Sequence, residues 1–244
     1  MPRKASGKRR SRRKPPSAKA LIEKGQDEIV QALGLDILGL SREELAEALE
    51  APVSMVLGAS KPSIEALIKR LKRHLPNVYS MIAAYILENR DRLTVDQLEF
   101  IVAYGGRVAA GAVDRLYEEA RRLGREDLMP MLRAVWEKYG RPSPVKCPKC
   151  GFRAVAPDLT CTVCGHLMSE EEARRQLGFE DLVKVFAETA DERSLKEALE
   201  SGVVYVTSTG IWSLRLAPRE MPGVVIGLSE EEKRVIREHL RGRG

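Results

Sequence analysis

Four cysteines fall in two matched pairs, Cys147-Pro148-Lys149-Cys150-Gly151 and, separated from it by nine residues, Cys161-Thr162-Val163-Cys164-Gly165. Two residues between cysteines let the chain turn so that both sulfurs converge on one ion, while backbone N–H groups of the same turn point at the thiolates. The glycine after each pair is free to take the positive φ that closes the turn. All four cysteines of the chain belong to this pattern, and it predicts one metal ion held tetrahedrally by Cys147, Cys150, Cys161 and Cys164. Closed four-thiolate coordination leaves no open position for water or substrate, so such an ion stabilises a fold and performs no reaction.

The paired knuckles resemble the zinc-ribbon family over residues 145–168, about a tenth of the chain. The resemblance implies one structural zinc ion with the four thiolates as its ligands. It also implies that Lys146, Lys149 and Arg153 decorate an exposed face of the kind many ribbons turn toward nucleic acid or a partner protein. Rubredoxins share both knuckles and bind iron, but they surround the site with aromatic side chains, and Phe152 is the one aromatic residue of this segment. Two disulfides are the other possible state of these thiols; the lack of a secretion signal argues against them, although intracellular disulfides do occur in hyperthermophiles. His166 follows the second knuckle and competes as a donor, but with four thiolates at hand it is expected to face solvent.

Catalytic patterns are missing: the sequence contains no P-loop, G-x-G-x-x-G turn, H-E-x-x-H or G-x-S-x-G elbow. His74 lies in a basic segment and His239 near a C-terminal helix end, and the acidic groups Glu43-Glu44 and Glu230-Glu231-Glu232 fall in first helical turns, where they complement the helix dipole. A non-enzymatic role is expected.

The charge is segregated. Residues 1–22 hold nine basic side chains, Arg3, Lys4, Lys8, Arg9, Arg10, Arg12, Arg13, Lys14 and Lys19, and no acid. Taking these from the 41 Lys and Arg leaves 32 against 35 Asp and Glu, so the arm supplies the whole net charge of +6. Residues 1–16 lack apolar periodicity and end in Pro15-Pro16, which predicts a disordered basic arm. Arms of this kind resemble the tails of ribosomal proteins and gain affinity for polyphosphate by counterion release; others serve as solubility tails or bind acidic proteins. The excess of 27 Arg over 14 Lys, with only 4 Gln and 2 Asn, matches the bias of thermophile proteins and suggests an archaeal source.

The elements that must carry these groups are mostly helical, as 43% apolar, 5% aromatic and 31% charged residues also indicate. Ser17 caps a helix that Gly34 ends, and Ser41 with Glu44 forms a capping box. Pro62 opens PSIEALIKRLKRHL, in which Ile64, Leu67, Ile68, Leu71 and Leu75 make one apolar stripe and Pro76 is the stop. Its polar face carries Lys69, Arg70, Lys72, Arg73 and His74 against Glu65, nearly one sign. After NVYSMIAAYILENR, Thr94 and Gln97 box a helix running to Gly105-Gly106, and one further helix spans roughly 108–123. Residues 95–123 resemble a helix-turn-helix whose second helix presents Asp114, Glu118 and Glu119 beside Arg115, Arg121 and Arg122; any antiparallel helix pair yields the same pattern. Arg141-Pro142-Ser143-Pro144 reads as a linker. Past the cysteines, Ser169 with Glu172 boxes a short helix and two more helices follow. The period then becomes extended: VVYVTS and IWSLRL flank a Thr209-Gly210 turn, GVVIGL is a third strand, and SEEEKRVIREHL closes the chain as a helix.

The expected fold is therefore mainly α: a disordered basic arm (1–16), an all-α domain (17–140), a linker with a zinc ribbon (141–168), and a small α+β domain with a hairpin or three-stranded sheet (169–244). No segment has the apolar length of a membrane span, and a cytoplasmic location is expected. The leading functional expectation is an RNA- or ribosome-binding protein that makes contact through Arg3, Lys4, Lys8, Arg9, Arg10, Arg12, Arg13, Lys14, Lys69, Arg70, Lys72 and Arg73. A DNA-binding transcription or chromatin factor using residues 95–123 is the alternative. The second alternative is a protein–protein adaptor that uses ribbon and helices alike.

Overall fold

The computed structural model describes residues 17–58, 62–218 and 220–242, and these fold as two compact units meeting between Asp91 and Arg92.

The described residues of the first unit form four α-helices, α1 (Ala18–Leu33), α2 (Arg42–Leu57), α3 (Ile64–Arg73) and α4 (Leu75–Asn89), with a short 3-10 turn at Asp36–Leu38. Ser17 Oγ caps α1 by accepting the Ala20 N–H, and Gly34 ends it in the left-handed region at φ 64°. The Ser41–Glu44 box on α2 closes in both directions. Ile22, Ile29, Leu49, Val53, Leu67, Leu71, Ile82 and Ile86 fill the core with essentially no exposure. Of the apolar stripe, Leu67 and Leu71 are buried, whereas Ile64, Ile68 and Leu75 are half-buried. Close approach of α3 explains Gly25 inside α1: a Cβ there would stand 2.6 Å from Ile64 Cδ1. Pro76 does more than stop α3. It occupies the first turn of α4, where the missing N–H has no intrahelical acceptor to lose.

The second unit carries α5 (Val95–Tyr104), α6 (Arg107–Gly111), α7 (Val113–Arg122), α8 (Met129–Tyr139), the cysteine segment, α9 (Glu170–Leu177), α10 (Phe179–Thr189), α11 (Glu192–Ser201), β1 (Val203–Thr207), β2 (Gly210–Ser213), β3 (Gly223–Gly227) and α12 (Glu230–Gly242). The expected all-α segment 17–140 is thus divided between the units, and α5–α8 fold together with the cysteine segment. Phe152 of that segment is fully buried and meets the Tyr117 ring edge-on at 6.0 Å.

Two expectations are corrected. The single helix over 108–123 is broken at Ala112 (φ −118°, ψ 25°), whose N–H reaches back only to Ala109 O; the short α6 buries Ala109 and Ala110 while α7 buries Val113, Leu116 and Tyr117. The hairpin loop is Ser208-Thr209, not Thr209-Gly210. Gly210 is already in β2, paired with Thr207, and the Thr207 hydroxyl oxygen accepts the Thr209 N–H at 3.2 Å to tighten the turn.

The sheet is antiparallel in the order β2-β1-β3. Val204, Val206, Val224 and Ile226 are its fully buried apolar residues, and α10 and α11 contribute Val183, Phe186, Leu195 and Ala198 to the same core. Ser229 and Glu232 form the capping box expected at the start of α12. Among the described residues, no helix is long and apolar enough to cross a membrane.

Candidate metal centre

The two knuckles bring the four cysteine sulfurs within 4.8 Å of one another. Cys147 Sγ lies 3.7 Å from Cys164 Sγ, and Cys150 Sγ 3.6 Å from Cys161 Sγ. A tetrahedron of sulfurs at about 2.3 Å from a central ion has edges of about 3.8 Å, so the cluster already has the size of the coordination shell. The same separations far exceed a sulfur–sulfur bond of about 2.05 Å, and all four cysteines are free thiols.

Local geometry follows from the sequence as expected. The Cys147 sulfur accepts the N–H groups of Lys149 and Cys150, Cys150 accepts that of Phe152, and Cys161 accepts those of Val163 and Cys164. Gly151 (φ 77°) and Gly165 (φ 67°) take the left-handed conformation and return their N–H groups to Cys147 O and Cys161 O, both at 2.9 Å. At the far tip Leu159 also sits at φ 67°, an unfavourable region for a branched side chain. The surrounding bonds over-determine it: its N–H donates to Ala156 O and its carbonyl accepts from Met168 N–H.

The thiols are shifted by burial and by one another. Burial pushes the Cys147 thiol up; the hydrogen bond with the Cys161 sulfur, then burial, pushes Cys150 up. Cys161 is held down to about 5, first by the hydrogen bond from Cys150 and then by the Val163 and Cys164 N–H groups. Cys147, Cys150 and Cys161 are buried and Cys164 is partly exposed. A metal ion bound among the four sulfurs would take the place of these protons. The residues present therefore fit a metal ion. His166 is half-buried and lies outside the sulfur cluster; its backbone carbonyl accepts the Cys161 N–H at 2.8 Å.

The supports of this segment come from residues that no local motif announces. Trp136 Nε1 donates to Arg153 O (2.7 Å) and Arg133 Nη1 to Cys150 O (3.1 Å), tying α8 to the hairpin. Gln176 on α9 makes a reciprocal pair with the Lys146 backbone, at 2.8 and 2.9 Å. Their partners are main-chain groups far along the chain, so a side-chain pattern carries no trace of them.

The basic residues expected on an exposed ribbon face divide. Lys146 and Lys149 are exposed, but Arg153 is half-buried, with its guanidinium donating to Ser143 O and Pro144 O at 2.9 Å each. The α3 cations divide too. Lys69, Lys72 and Arg73 are exposed, whereas Arg70 Nη1 donates to Leu57 O at 2.9 Å and Val56 O at 3.3 Å, satisfying the end of α2. Arg3, Lys4, Lys8, Arg9, Arg10, Arg12, Arg13 and Lys14 lie outside the described residues. In the helix-turn-helix-like segment, Glu119 is not on the outer face but buried, with its carboxylate bonded to Arg92, Arg122 and the Leu93 N–H.

No family model, no curated protein and no solved structure matches this chain. The chain is a mainly helical protein with a small three-stranded sheet and a four-cysteine centre able to hold a metal ion.

Proposed function

We propose that this is a non-enzymatic zinc protein that associates with RNA or a ribonucleoprotein through its basic arm and the exposed face of α3. The observation that supports the partner is the group of exposed cations on one face of α3. On α10, α11 and α12 several cations meet acids of the same helix, as in Lys184–Asp181, Lys196–Glu192, Lys233–Glu230 and Arg234–Glu231. Lys69, Lys72 and Arg73 instead stand exposed, with no carboxylate in salt-bridge reach among the described residues. Cations left unneutralised on one helix face can follow a phosphate backbone by position alone, without reading bases. Zinc is the proposed ion because a closed four-thiolate tetrahedron suits it, and it gives a structural site without redox chemistry.

The break at Ala112 shortens the helix that would enter a groove to α7, and Glu119 on it turns inward rather than outward. RNA is therefore preferred over the DNA-reading alternative. The test replaces Lys69, Lys72 and Arg73 by Gln while keeping Arg70, and measures binding to structured RNA and to duplex DNA. Weaker RNA binding, about equal across sequences, is expected; unchanged RNA binding together with site-selective DNA binding would reverse the assignment.

A further inference from the structure

Two basic side chains converge on the residue that closes the first knuckle. Gly151 donates its N–H to Cys147 O at 2.9 Å, and a Cβ there would stand 3.3 Å from Arg133 Nη1, 3.4 Å from Arg133 Cδ and 3.5 Å from Lys146 Cε. Arg133 comes from α8 and Lys146 from the chain entering the knuckle, and each is fixed in place. Arg133 Nη1 donates to Cys150 O at 3.1 Å, while Trp136, three residues further along the same face of α8, donates Nε1 to Arg153 O at 2.7 Å. The Lys146 backbone is held in both directions by Gln176, at 2.8 and 2.9 Å.

Neither cation meets an acid. Arg133, Lys146 and the exposed Lys149 within the knuckle have no carboxylate in salt-bridge reach among the described residues. Arg122, Arg125 and Arg174 of the same unit, by contrast, pair with Glu119, Asp127 and Glu232. The second knuckle, Cys161-Thr162-Val163-Cys164, contains no basic residue. A divalent ion among four thiolates leaves two negative charges uncompensated, and here Cys147, Cys150 and Cys161 are buried, where such a charge is costly unless cations stand close by.

We propose that Arg133 and Lys146 are the charge-compensating residues of the metal centre and slow the escape of its ion by offsetting the charge of the filled four-thiolate site. This rests on the reading of the centre as a zinc site. Arg133 is bonded to the main chain of one ligand, Cys150, and Lys146 directly precedes another, Cys147. Both therefore act from outside the ligand shell, where partners commonly change metal affinity by about 10–100-fold.

The rate of zinc release from the full-length, zinc-loaded chain to excess EDTA tests this. Arg133→Gln and Lys146→Gln remove the charges, and the double variant should release zinc about tenfold faster with its helical signal unchanged. Arg133→Lys keeps the cation and should release zinc at close to the parent rate. Added salt should speed release from the parent chain and much less from the double variant, because screening removes the same attraction. Parent-like release from the double variant overturns the proposal and leaves the zinc centre standing. So does Arg133→Lys behaving as Arg133→Gln, since the guanidinium then acts through its bond to Cys150 O and not through charge. A parent chain that takes up no stoichiometric zinc overturns the zinc reading and this proposal together, so metal content tells the two failures apart. Weaker RNA binding by the double variant with zinc release unchanged assigns both cations to the partner instead.

Discussion

The Glu119 carboxylate accepts the backbone N–H of Leu93 at 2.8 Å, joining residues 26 apart in sequence. Arg122 adds a bond at 2.6 Å and Arg92 one at 3.0 Å, and the Glu119 side chain is only 3% exposed. Leu93 directly precedes Thr94, the cap of α5, so this one carboxylate positions the entry of α5 against α7.

The Arg122 hydrogen bonds, joined by those from Leu93 N–H and Arg92, hold the Glu119 carboxyl down to about 2. Its folded value is below its unfolded value, so the stabilisation is fully present above about pH 4.5 and is lost as pH falls toward 2, with up to about 3 kcal/mol at stake. Glu119→Gln should therefore lower stability at neutral pH and flatten the fall of stability between these limits. Denaturant midpoints measured across acidic pH for both proteins check this.

One zinc per chain is expected in purified protein by elemental analysis, and iron or no stoichiometric metal would refute it. Cys161→Ser should lose the ion and loosen the segment around it, because three remaining thiolates no longer close the tetrahedron. The helical signal of α1–α4, which have their own core, should persist.

Arg174 ties three elements together: its guanidinium pairs with Glu232 of α12, donates to Gly227 O of β3 at 2.6 Å and lies over the Phe179 ring of α10 at 4.5 Å. Arg174→Ala leaves the nearly buried Glu232 carboxylate without its cation, and a loss of about 2–4 kcal/mol in unfolding free energy is expected. Arg174→Lys should restore only part of it, since a point charge cannot reproduce the fork.

Arg70 should separate from its neighbours on α3. Replacing it by Gln removes the hydrogen bonds to Val56 O and Leu57 O and should cost about 1 kcal/mol of stability. Replacing Lys69, Lys72 and Arg73 should leave the unfolding midpoint within about 0.5 kcal/mol, as for exposed residues without partners.

Deleting residues 1–16 should weaken RNA binding and flatten its salt dependence, because each phosphate neutralised contributes roughly 0.7–0.9 to the log–log slope. An unchanged slope would assign the arm another role.

Short-range rules were readable from the chain itself. The cysteine knuckles, the glycines after them, and the capping boxes Ser41–Glu44, Thr94–Gln97 and Ser229–Glu232 are each completed within about four residues, so residue type and spacing determine them. The change from helical to alternating apolar pattern likewise located β1, β2 and β3, since the period of burial is itself a sequence property. Tertiary structure alone decided the rest. Arg70 reads as a surface cation until the end of α2 arrives beside it, and Glu119 reads as an outward acid until Leu93 does. The metal segment reads as a separate module until Trp136, Arg133 and Gln176 engage its main chain. In each case the deciding partner is a backbone group more than a dozen residues away, and every residue type presents the same N–H or C=O, so nothing in the one-dimensional pattern records the meeting.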